Sequence, residues 1–144
     1  MVPSMNKKVF ECLASVTAMV LSGSCLADPL TLQDFAETVT GRTFDFSVTG
    51  FVYGVERYWP NQRAEWLLDD GTCLFGRYYE WQGKICFIYD EYGADAERLP
   101  QCWTFERTDM GITATFFDPN STHPPISMTP SDAPLACAGP DVGA

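Results

Sequence analysis

Two apolar periods organise the chain. From Asp28 to Gly41 the period is helical: Leu32, Phe35, Ala36 and Val39 fall at i, i+3, i+4 and i+7 and form one stripe. Thr31 is placed to cap this segment, with Asp34 three residues later, where the helix dipole favours a negative charge. Leu30 and Phe35 flank the cap as a hydrophobic staple, and Gly41 suits the left-handed residue that ends a helix. The pattern predicts a helix over residues 31–40.

After Gly41 the period changes to two. Phe44, Phe46 and Val48 alternate with Asp45, Ser47 and Thr49, as in a half-buried strand. Further short, aromatic-rich strands are expected at Tyr53–Tyr58, Ala64–Leu68, Cys73–Trp81, Lys84–Tyr89, Cys102–Arg107 and Ile112–Phe117. Turn residues separate them: Pro60-Asn61, Asp69-Asp70-Gly71, Gln82-Gly83 and Asp109–Gly111. Residues 90–100 read as a polar loop. No second helical pattern intervenes, so parallel crossovers have no room. The expected fold is mainly β, an antiparallel meander of about seven strands. So many short strands are expected to curl into a small barrel or bent sheet, which limits exposed edges. The helix would plug one end or cover one edge. Residues 118–144 hold six of the ten prolines and read as an extended tail.

A two-residue loop at Gln82-Gly83 would pair Tyr78 with Phe87 and Tyr79 with Cys86, placing Tyr78, Ile85 and Phe87 on one face. Glu80 falls on that face too. It marks either the barrel rim or a register shifted by one.

Residues 1–27 read as a secretory signal. Lys7 and Lys8 precede an apolar run to Leu21, small residues follow, and Ala27 stands before the expected cut. The run is too short for a membrane span. Translation from Met5 in place of Met1 would give a more usual basic segment. A lipid anchor at Cys25 is a second possibility, but Ser22 stands where an aliphatic residue is wanted.

Removing residues 1–27 takes two lysines and one glutamate from 9 Lys+Arg and 19 Asp+Glu. The formal charge therefore moves from −10 to −11 over 117 residues. That acidity excludes a nucleic-acid partner, because a phosphate backbone repels it. Of six cysteines, Cys73, Cys86, Cys102 and Cys137 remain, and in an exported domain they read as two disulfides. Cys86 and Cys102 lie on consecutive strands and can meet across a ladder. Cys73 and Cys137 would then tie a central strand to the tail.

The chain resembles an uncharacterised family of small secreted or periplasmic four-cysteine β-proteins of Gram-negative bacteria. The resembling residues are Gly76-Arg77-Tyr78-Tyr79-Glu80, Ile85-Cys86-Phe87-Ile88-Tyr89, Cys102-Trp103-Thr104-Phe105, Gly54-Val55-Glu56-Arg57-Tyr58, the helix, and the tail from Pro134 to Gly143. The resemblance implies the fold and the compartment. It carries no activity.

Catalytic chemistry has little to stand on. His123 is the only histidine and sits in a proline-rich stretch. No nucleophile elbow, P-loop, dinucleotide fingerprint or zinc-protease helix occurs. Glu65, Glu80 and Glu106 fall in predicted strands, where one pointing inward would offer a carboxylate site, although outer-face positions are their ordinary use. Asp90, Glu91, Asp95 and Glu97 cluster in one loop without the order of a calcium-binding hand, so no metal or cofactor is expected.

Aromatic side chains either build the core or line a mouth for a ligand. The expectation is a non-enzymatic binding module for a small apolar or amphipathic ligand, with Trp66, Tyr78 and Trp103 as candidate lining residues. An interaction or inhibitor module for a basic partner is the alternative, and an enzyme with an unrecognised carboxylate site the second. A barrel filled by its own side chains argues against the ligand. An aromatic pocket with one convergent polar group argues for it.

Overall fold

The computed structural model describes residues 28–90, 100–132, 135 and 137. The expected export signal over residues 1–27, Cys25 included, lies outside the described residues. So do residues 91–99 and most of the chain after 132.

Helix α1 spans Leu32–Val39 and begins as its sequence dictates. The Thr31 hydroxyl accepts from the Asp34 amide at 3.1 Å and donates to the Asp34 carboxylate at 2.7 Å. Eight strands follow: β1 (Thr43–Val48), β2 (Phe51–Trp59), β3 (Arg63–Leu68), β4 (Cys73–Trp81), β5 (Lys84–Tyr89), β6 (Gln101–Thr108), β7 (Gly111–Phe116) and β8 (Ile126–Pro130). Each pairs antiparallel with the next, and β8 pairs with β1, so the sheet closes into a barrel. The strand missing from the sequence reading is β8. Its alternation is only a few residues long and prolines flank it, so it reads as tail. Pro130 stands at its last position, where a lost amide costs the ladder least.

The hairpin register follows turn chemistry. Gln82 and Gly83 take φ of 50° and 72°, a two-residue turn of the mirror-image class. Tyr78 therefore faces Phe87, and Tyr79 faces Cys86. Glu80 stays exposed, at the rim of the helix end beside Leu30 and Thr31. Glu80 therefore marks the barrel rim, and the register is unshifted.

Alternation sends Phe44, Phe46, Tyr58, Tyr78, Phe87 and Phe105 inward, and α1 plugs one end with Phe35 and Val39, both fully buried. The Phe35 ring lies 4.5 Å from Phe105, 5.4 Å from Tyr78 and 5.5 Å from Tyr58. The plug is also tied to the barrel wall. The Leu30 amide donates to the Phe105 carbonyl at 2.7 Å, and the Arg107 guanidinium donates to the Thr38 hydroxyl at 2.7 Å. Asp45, Arg57, Arg77 and Glu106 alternate with the inward-facing residues and stand on the outer face.

Two disulfides join Cys73 to Cys137 and Cys86 to Cys102, the expected pairing. Cys86 and Cys102 face each other across the β5–β6 ladder. Cys73–Cys137 fastens the chain after β8 to the start of β4. No helix among the described residues is long and apolar enough to cross a membrane.

Candidate functional site

One end of the barrel is filled by α1, and the space inside lies toward the other. An inner chamber holds about 70 Å³ of solvent-sized space. Its wall takes residues from every strand except β4, and most of them are aromatic, Phe46, Tyr53, Trp66, Phe87, Tyr89 and Trp103 among them. An outer vestibule of about 400 Å³ shares Tyr53, Gln101, Trp103 and Ile126 with the chamber and adds Phe116 and His123. The two spaces are adjacent, with these four residues as their common wall.

Local irregularities shape this cavity. The β1–β2 ladder shifts by one between Phe46, which pairs with Gly54, and Ser47, which pairs with Val52. Tyr53 is the extra residue of that bulge, and its ring turns inward to 5.8 Å from Trp66. Two glycines give the rings room. A Cβ on Gly54 would overlap the Trp66 indole, and one on Gly76 would overlap the Ile88 carbonyl and crowd Tyr89.

One carboxylate converges on the chamber. Glu56 is 2% exposed, and its carboxylate lines the wall. It accepts from the Tyr58 hydroxyl at 2.6 Å and from the Tyr89 hydroxyl at 2.5 Å, one on each oxygen. Burial pushes its pKa up to about 7, against the two phenolic hydrogen bonds, which pull it down. Tyr53, half-buried with that carboxylate nearby, is pushed up to about 12. Tyr58 is raised as well, by burial first and by Glu56 second.

The sequence-derived candidates divide. Trp66 and Trp103 line the chamber. Tyr78 does not: it is 1% exposed and packs beneath α1, 5.9 Å from Tyr58. Its place in β4 sends it to the plugged end. Of the three glutamates singled out, Glu80 is on the helix-end rim and Glu106 is exposed. Glu65 points to the outer face, yet it is 1% exposed and accepts from the Trp59 indole at 3.0 Å. The inward carboxylate is Glu56. Counting by two from Tyr58 identifies it, since Gly54, Glu56 and Tyr58 share one face of β2.

His123 borders the vestibule, its ring 6.3 Å from Phe116. Asp90 makes an exposed ion pair with Arg77 at 4.0 Å, and Glu91, Asp95 and Glu97 lie outside the described residues. Among the described residues no group of three His, Cys, Asp or Glu is arranged to hold a metal ion. The chain was compared with known protein families, curated proteins and solved structures, and none of them matches it.

Proposed function

We propose that this is an exported, non-enzymatic binding protein, at home in the periplasm or outside the cell, that takes one small amphipathic ligand into the end of the barrel opposite α1. The observation that carries the reading is the aromatic chamber with a single buried carboxylate, beside a wider vestibule that shares four of its residues. Small-molecule sites are concave and mostly apolar, with a few placed polar groups, and their volumes begin at about 300 Å³. The vestibule has that size, and the chamber beyond it suits a head group. Two disulfides fit the oxidising compartment that the reading requires.

A titration with the neutral fluorophore N-phenyl-1-naphthylamine tests this. Saturable one-to-one enhancement is expected. Gln101→Trp, a substitution at an exposed residue that borders both spaces, should weaken it by about tenfold or more while leaving the fold intact. No saturable enhancement, or enhancement indifferent to Gln101→Trp, would remove the proposal.

A further inference from the structure

We propose that the ligand is an organic ammonium, its charged head in the chamber against Glu56 and its apolar body in the vestibule; this rests on the ligand-binding reading above. The wall and the carboxylate point the same way. Phe46, Tyr53, Trp66, Phe87, Tyr89 and Trp103 present ring π-systems, whose faces attract cations, most strongly where water is excluded. Glu56 stands among them at 2% exposure. Its two oxygens are oriented by Tyr58 and Tyr89, and each oxygen can accept a second hydrogen bond. An ammonium brings donors to those positions and balances a charge that is costly to bury alone. An anion meets both the carboxylate and the ring faces and is rejected. A neutral ligand gains the apolar contacts only. Among the described residues, no lysine or arginine lines either space.

The chamber at about 70 Å³ admits a head group and little more, and the vestibule at about 400 Å³ takes a ring or a short alkyl chain. The titratable groups facing Glu56 are the phenols Tyr53 and Tyr58 from β2, Tyr78 from β4 and Tyr89 from β5. The imidazole of His123 stands further out, in the vestibule. Since burial holds Glu56 partly protonated at neutral pH, an entering ammonium favours the carboxylate and expels its proton.

Three probes of one size separate the charges: 2-phenylethylamine, 2-phenylethanol and phenylacetate, titrated calorimetrically at pH 7 in two buffers of different ionisation enthalpy. The amine should bind about tenfold or more tighter than the alcohol, with phenylacetate weakest, and amine binding alone should release protons. Glu56→Gln should erase both the preference and the release. Glu106→Gln, at an exposed carboxylate that borders neither space, should retain both, which assigns the proton to Glu56. The wild-type comparison stands even if Glu56→Gln does not fold. Equal or tighter binding of the alcohol or the acid would overturn the ammonium assignment and leave the binding reading in place. So would failure of all three probes while N-phenyl-1-naphthylamine binds. Failure of the fluorophore as well would remove both.

Discussion

At the scale of single residues, Glu56 is the most consequential side chain in the barrel. The alternation that buries Tyr58 also buries a carboxyl group, and no described cation pairs with it. That arrangement has a measurable cost. The folded protein holds the Glu56 proton to about pH 7, whereas the unfolded chain releases it near 4.5. Between those values the unfolded chain binds fewer protons, so stability falls as pH rises. The contribution is fully present below 4.5, is lost as pH rises through about 7, and amounts to about 3 kcal/mol. Glu56→Gln removes the titration. Urea unfolding at pH 4.5, 6 and 8 should show the variant gaining on the wild type by about that amount, and parallel pH profiles would refute it. Gly54→Ala makes a second test: the added methyl displaces the Trp66 indole, and near-ultraviolet circular dichroism should report the altered ring environment. Glu56 was legible by counting, but its two phenolic donors were not. Tyr89 comes from β5, brought across the barrel by closure.

Among elements, α1 was the most legible, because cap, staple and stripe are all local. Its role as a plug is tertiary. Phe35 reaches rings on β2, β4, β5 and β6, which no spacing along the chain reveals. The two kinds of information predict different magnitudes. Thr31→Ala loses one cap and should cost about 1 kcal/mol in thermal unfolding. Phe35→Ala leaves a void under the helix that those rings cannot fill and should cost about 3–5 kcal/mol. If the two variants lowered stability equally, the helix would be a tethered appendage and not the stopper of the barrel. Strand β8 is the opposite case. Its local pattern is too short to stand out between prolines, and it becomes a strand because β1 and β7 each offer an edge to pair. The register of β4 against β5 was readable because two residues of turn set it. The bulge that aims Tyr53 into the chamber was not, because no residue type marks it.

For the whole molecule, closure and cross-linking act at different ranges. The meander and the disulfide pairing follow from strand order, but the choice between a closed barrel and a bent sheet depended on β8. Once β8 is in place, both of its edges are paired and no strand among the described residues is left open. The bridges then restrain the unfolded chain unequally. Cys86–Cys102 joins residues 16 apart and Cys73–Cys137 residues 64 apart, so loop entropy assigns them about 3 and about 4 kcal/mol. They also act in different places. Cys86–Cys102 holds β5 against β6, the strands that carry Tyr89 and Trp103 into the chamber, whereas Cys73–Cys137 binds the chain beyond β8 to β4, which contributes nothing to the chamber wall. Paired alanine variants should therefore separate stability from binding. Loss of Cys73–Cys137 should lower the urea midpoint more and leave the affinity for N-phenyl-1-naphthylamine unchanged. Loss of Cys86–Cys102 should lower the midpoint less and weaken the fluorophore. If the fluorophore instead followed the long-range bridge, the binding surface would lie on the outer face near β4, and the barrel interior would be core alone.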